Sequence, residues 1–182
     1  REFGIDPDAP VICHVSRLDD ETVMMAEKLI SSMIRINREI PGVQLVIAGG
    51  GTMEAYLKKR ASEINDEIGR RAIIMTGPRT DINEIEKTVA SCDLFVGVSR
   101  TALEAMSCEK PVILAGNAGY MGLFRRENLE EAQSDNFCCR SRGHHRSDDL
   151  AADIISALKH IGTPEMEELR QFGRKVILGE YS

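Results

Sequence analysis

Tryptophan is absent, aromatic residues make up only 4% of the chain, and no apolar run approaches the ~18 residues that a bilayer-spanning helix requires. The opening REFGIDPDAP carries no signal-peptide pattern, so the expected location is the cytoplasm. There is no initiator Met and the first strand begins almost at once, as expected of a piece of a longer polypeptide. Positive charge is also short. The 23 Lys and Arg face 29 Asp and Glu, leaving a net charge of −6. That argues against a nucleic-acid-binding domain, because phosphate affinity needs a surplus of cations on one face. No G-x-S-x-G, no H-E-x-x-H and no glycine loop ending in Gly-Lys-Ser/Thr occurs, which weighs against hydrolases, zinc proteases and P-loop NTPases. The cysteines Cys13, Cys92, Cys108, Cys138 and Cys139 are odd in number and three lie in or beside apolar runs, so reduced thiols and no disulfide are expected. Cys138-Cys139 with His144-His145 lacks the ligand spacing of a zinc site, and no metal is expected. There is no internal repeat and no low-complexity segment.

What is present is ordinary globular composition. With 42% apolar and 29% charged residues, 15 Gly and 6 Pro, the chain falls outside the disordered and collagen-like classes. Its 182 residues suit one unit that buries roughly 70% of its unfolded surface. Apolar periodicity predicts strands at 11–15, 43–48, 72–75, 93–97 and 111–115. Helices are predicted between them, at 20–39, from the Gly49-Gly50-Gly51 turn to about Asn65, at 81–90 with Asp81 as N-cap, and at 99–107 with first-turn hydroxyls as caps. The stretch 116–122 reads as a loop and 136–139 as a sixth, weaker strand. Two further helices are expected at 147–161 and 164–178, the last opening on Pro164, which a first turn tolerates. Strict βα alternation with continuously apolar strands implies a parallel sheet with helices on both faces.

Ligands of such sheets bind outside the carboxyl ends of the strands, so the residues just after each strand matter most. Ser16 and Arg17 follow the first; Gly49, Gly50 and Gly51 the second; Thr76, Gly77, Pro78 and Arg79 the third; Ser99, Arg100 and Thr101 the fourth. Glycines, hydroxyls and arginines are the chemistry of phosphates and sugars. The three glycines open a helix and can approach an anion closely. They fail as a dinucleotide fingerprint, since Glu54 stands where the third glycine belongs and the turn lies on the second βα unit. Arg17 can make charge-assisted hydrogen bonds to a diphosphate, with Asp19 and Asp20 as rival partners. Glu104, one turn inside its helix, can accept two ribose hydroxyls; the bland reading is a solvated carboxylate. Arg140, Arg142, His144, His145 and Arg146 read as a solvated basic loop, with an anionic acceptor or partner as the less common reading.

In combination, Val15-Ser16-Arg17-Leu18, Leu45 to Gly51, Asp93-Leu94-Phe95-Val96 and Ala102-Leu103-Glu104-Ala105-Met106 through Lys110-Pro111-Val112-Ile113 form a familiar order. The chain resembles the C-terminal, nucleotide-sugar-binding domain of retaining GT-B glycosyltransferases, the glycosyl transferases group 1 (family 4-like), from about Val11 to Leu158. The resemblance implies an α/β, Rossmann-like domain over 1–182, with a core at about 11–161, a C-terminal helix at 163–179 and the acceptor domain outside this chain. It implies that Arg17 faces the donor diphosphate and that Glu104, the second acid of an E-x7-E pair, holds the ribose. By the same resemblance Gly77, Pro78, Arg79 and Thr80 wrap the nucleobase, and Gly49, Gly50, Gly51, Ser99, Arg100 and Thr101 complete the donor site. Three departures stand out. Val96 occupies the position of the first acid, Thr22 that of a usual cation, and Ser99-Arg100-Thr101 replaces a glycine-rich helix start. The last looks like a bacterial subgroup of surface-polysaccharide assembly.

The expected function is therefore transfer of a hexosyl group from a nucleoside-diphosphate sugar to a glycan or lipid-linked acceptor. No obligatory cofactor is implied, no nucleic acid is involved, and the full-length protein would associate peripherally with the inner face of the membrane. This chain alone is expected to bind nucleotide without turnover. Half of a nucleotide-sugar 2-epimerase, or a non-catalytic nucleotide-binding module, are the competing readings.

Overall fold

Strands that are apolar without alternation fit only where both faces are covered, and the computed structural model, which describes residues 2–180, places them there. One sheet runs in the order β3-β2-β1-β4-β5-β6. Its strands are β1 (Val11–Val15), β2 (Gln44–Ala48), β3 (Ile73–Gly77), β4 (Leu94–Gly97), β5 (Val112–Ala115) and β6 (Tyr120–Leu123). The helices are α1 (Met24–Glu39), α2 (Glu54–Ile68), α3 (Ile82–Ala90), α4 (Ser99–Ser107), α5 (Leu129–Ser134), α6 (Leu150–Lys159) and α7 (Pro164–Ile177). Ile12, Leu45, Ile47, Leu94, Val96 and Ile113 pack against α1, α2 and α6. Their neighbours in sequence, Val11, Cys13, Val46, Phe95, Val112 and Leu114, face α3, α4, α5 and α7.

The register positions the site. Val15 pairs with Ala48 in parallel β1 and β2, and Ala48 pairs with Gly77 of β3 past an irregularity, so three strands end level and their loops leave side by side. Strand order reverses between β1 and β4, and a crevice forms at such a switch point.

The structure corrects several expectations. The sheet is parallel from β1 to β5, but its sixth strand is antiparallel and lies at Tyr120–Leu123, overlapping the stretch read as a loop. Gly122, at φ +82°, disguises that strand. Residues 136–139 are not a strand: Asn136, Phe137 and Cys139 have φ of +56°, +61° and +61°, which no strand accommodates. Asp135 holds that turn instead, its carboxylate accepting the Cys138 and Ser141 amides. The helix expected from position 20 begins at Met24, because 19–22 folds into a turn in which the Thr22 hydroxyl donates to the Arg17 carbonyl at 2.7 Å. Its capping acceptor comes from elsewhere, the Asn117 side chain taking the Met25 amide. Helix α5 is new. Helix α7 follows its signals, with Thr163 accepting the Met166 amide and Pro164 in the first turn.

Candidate functional site

The level strand ends enclose a cleft of about 320 Å³ lined by Val15, Ser16, Arg17, Gly49, Gly50, Pro78, Arg79 and Thr101. Of the residues singled out from sequence, Arg17, Gly49, Gly50, Arg79 and Thr101 thus share one wall. Ser16 and Pro78, also read from their places directly after β1 and β3, belong there as well.

The glycine turn is shaped first by its neighbour loop. The Ser16 amide donates to Ala48 and the Leu18 amide to the Gly50 carbonyl, at 3.1 and 3.0 Å. A Cβ on Gly51 would lie 2.5 Å from the Leu18 carbonyl, so Gly51 serves loop packing and stands behind the cleft. Gly50 is contacted by Pro78. Gly77, at φ +77°, ends β3, and its carbonyl takes the Gly49 amide. Thr80 is exposed outside the cleft wall. The Arg79 guanidinium sits 4.4 Å from the centroid of the Phe3 ring, and its Nε donates to the Thr76 hydroxyl.

Arg17 points largely into solvent, its side chain 82% exposed, with Nη2 2.6 Å from Asp19. Asp19 also accepts the Thr52 amide; that bond and then the Arg17 guanidinium hold its carboxyl below the usual carboxylate range. The rival ion pair therefore forms, on a side chain exposed enough to swing to a ligand. Thr22, where a second cation was expected, braces the same loop from within.

Helix α4 follows β4 after the single residue Val98. This short connection explains Val96: it lies in β4, fully buried in the core, and not on a loop at the site. The first-turn hydroxyls do not cap the helix as expected. Val98 is the N-cap and offers no side-chain acceptor, while the Thr101 hydroxyl donates back to the Val98 carbonyl. Ser99 sits at φ +55° and gives its amide to the Phe137 carbonyl at 2.8 Å. The Arg100 and Thr101 amides meet no protein acceptor among the described residues and remain available to an anion. Glu104 lies three residues beyond Thr101, on the same helical face. Its Oε1 accepts Arg100 Nε at 3.0 Å, and its Oε2 is buried without a hydrogen-bond partner.

Two more buried polar atoms without a partner, Ser16 Oγ and His14 Nε2, lie at this end of β1. His14 Nδ1 is 2.8 Å from the Val96 carbonyl oxygen. Burial lowers the His14 pKa below 6.5, the bond to Val96 partly opposing it. The folded state therefore resists protonation while the unfolded state protonates below pH 6.5, and stability is lost as pH falls through that value toward the folded pKa. The urea midpoint is expected to fall from pH 6.5 to about pH 5, and His14→Leu to flatten the drop; an unchanged slope in the variant assigns it elsewhere.

A larger groove, about 580 Å³ between α1 and α6, has Arg35 paired with Asp149 and Glu27 accepting the Tyr56 hydroxyl, and none of the donor-site candidates lines it. Among the described residues no group of three or more potential ligands is placed to hold a metal ion, and no helix is long and apolar enough to cross a membrane.

Residues 9–160 match the family described as glycosyl transferases group 1. A GDP-mannose-dependent monoacylated alpha-(1-6)-phosphatidylinositol monomannoside mannosyltransferase of Corynebacterium glutamicum is 27% identical over 132 residues, 65% of this chain and 32% of the relative. S. aureus TarM, in complex with fondaparinux, alpha-GlcNAc-glycerol and UDP, superposes with a TM-score of 0.65 at 20% identity, over 96% of this chain and 33% of that one. Anabaena HepE in complex with UDP gives 0.62 at 20%, over 96% and 45%. The C-terminal domain of LpcC, a glycosyl transferase group 1 protein of Francisella tularensis, gives 0.62 at 17% identity, over 96% and 86%. At these identities the superpositions establish the α/β, Rossmann-like fold. This chain spans about a third of the curated mannosyltransferase and of TarM.

Proposed function

The chain belongs to the glycosyl transferases group 1 family, and we propose that it forms the donor-binding half of a GT-B glycosyltransferase that moves a hexosyl group from a nucleoside-diphosphate sugar to a glycan or lipid-linked acceptor. The observation that carries this reading is Glu104: a carboxylate whose Oε2 is buried and unpartnered, one turn inside a helix whose second and third amides are open, beside a cleft walled by arginine and glycine. An acceptor-only group with one free oxygen suits a diol such as ribose. Arg17, Arg100 and the Arg100 and Thr101 amides are then placed to stabilise the charge that develops on the diphosphate as the glycosidic bond breaks. Pro78 and Arg79, which line the cleft, border the nucleobase in this reading, with Gly77 shaping their loop and Thr80 standing outside it. No obligatory metal or cofactor is part of this reading.

We assign the acceptor's reacting hydroxyl and any proton transfer to a second domain, so the chain by itself binds nucleotide and does not turn over. Bacterial surface-polysaccharide assembly and peripheral placement at the inner membrane face are the physiological setting we infer. UDP and GDP are the first nucleotides to try, since relatives are described with UDP and with GDP-mannose.

Calorimetric titration with UDP, GDP, ADP and dTDP tests the reading. One diphosphate should bind, and Arg17→Ala should weaken it about tenfold, or roughly 1.4 kcal/mol, which is what loss of one exposed charge-assisted bond supports. Failure of all four to bind sinks the donor-site assignment. Sugar transfer by the purified chain alone would overturn the division of labour.

A further inference from the structure

The basic run at 140–146 is left over from that account, and the structure gives it a defined place. The segment 135–146 is clasped to the carboxyl edge of the sheet. Phe137 O accepts the first amide of α4, Gly143 O accepts the Tyr120 amide, and His144 Nε2 lies 3.1 Å from the Asn117 carbonyl oxygen. Gly119 is tight against it, since a Cβ there would meet the Cys139 carbonyl oxygen at 1.9 Å. The segment thus borders the same edge as the donor cleft, on the β4–β5–β6 side.

Its backbone holds three non-glycine residues at positive φ, a conformation kept only where the surroundings over-determine it. They do so here: the Asp135 carboxylate takes two amides, and Arg142 forks onto both oxygens of Glu131 at 2.8 Å. The neighbouring carboxylates are committed as well, Asp148 to the His145 amide and Asp149 to Arg35 and the Ala152 amide. Arg140, Arg146 and the His145 ring are left exposed, without an ionic or hydrogen-bond partner among the described residues. In a chain of net charge −6, a braced loop that neutralises its own acids and presents unpaired arginines from the carboxyl edge of the sheet is arranged for an anion.

Resting on the donor-site reading, in which Arg17 and Arg100 serve the nucleotide, we propose that Arg140 and Arg146, with His145, bind the phosphate of a phosphorylated acceptor, so that this half of the enzyme recognises both substrates. Arginine suits that task because its planar fork meets phosphate oxygens in pairs. The source of the phosphate is a diphosphate-linked carrier rather than a bulk membrane surface, because the cations are few and set on one rigid loop beside the cleft.

The nitrogen-15-labelled chain is titrated with farnesyl diphosphate, with and without the nucleotide selected by calorimetry, and amide shifts are followed. Shifts across 138–146 are expected whether or not nucleotide is present, with at least tenfold weaker binding in Arg140→Ala/Arg146→Ala and nucleotide shifts at Arg17 and Thr101 retained in that variant. A probe that moves only the Arg17 and Thr101 amides, or that binds the double variant as well as the parent, overturns the proposal. So does co-sedimentation with phosphatidylglycerol-containing phosphatidylcholine vesicles through the same arginines when farnesyl diphosphate does not bind, since the loop then reads a membrane. Failure of the donor-site reading looks different: nucleotide shifts at Arg17 and Thr101 are missing, whatever happens at the loop.

Discussion

Gly49→Ala is expected to destabilise the folded chain by about 3 kcal/mol and to abolish nucleotide binding with it. A Cβ at this position would stand 1.8 Å from the Ser16 carbonyl oxygen. That obstacle is backbone, so no side-chain rotation relieves it, and at φ +152° the alanine is strained in any case. The two loops must separate, which breaks the hydrogen bonds from Ser16 to Ala48 and from Leu18 to Gly50 and opens the cleft wall. Urea unfolding should show the loss, and thermal unfolding a fall of about 10 °C for a chain of this size. Gly42→Ala is the control, at φ +87° with nothing within 4 Å of the added carbon; only the backbone penalty applies, about 1 kcal/mol. Equal stability of the two variants would show that the loops yield freely and that the close approach is not what requires glycine.

Glu104→Ala should weaken the bound nucleoside diphosphate at least tenfold and as much as about a hundredfold, without lowering the urea midpoint. Two hydrogen bonds to a charged acceptor contribute roughly 1.5–3 kcal/mol each, and every 1.4 kcal/mol is about tenfold in affinity. The side chain is 18% exposed, so water screens part of that sum. Stability is expected to hold because the free protein already keeps Glu104 Oε2 buried without a partner, a penalty that the substitution removes, while the lost pair to Arg100 is an exposed one. A carboxylate whose only task is to anchor Arg100 gives an unchanged nucleotide affinity.

The readable parts of the fold were those fixed by local physics. Continuous apolar runs marked β1 to β5, the Gly-Gly-Gly turn marked the close approach after β2, and Asp81 and Pro164 marked helix starts that the structure retains. The unreadable parts were those where distant chain decides local conformation. Tyr120–Leu123 is a strand because β5 offers an edge to pair with, and its glycine said loop. Residues 136–139 carry strand-like side chains, yet Asp135 pulls them into a left-handed turn. Helix α1 has its Met25 amide capped by Asn117, 92 residues away.

For the site the division is similar. The sequence by itself determined a βα-alternating domain with arginines, glycines and one acid after its strands, because those features follow from periodicity and from residues adjacent in the chain, and the order of its motifs resembled the glycosyl transferases group 1. Only the tertiary structure decided which of them meet. It sent Gly51 behind the cleft, left Thr80 outside it, buried Val96 in β4 and left Glu104 with a free buried oxygen. It also brought the 135–146 segment onto the start of α4. Each of these depends on strand register and on hydrogen bonds between loops far apart in sequence, and no local pattern encodes such contacts.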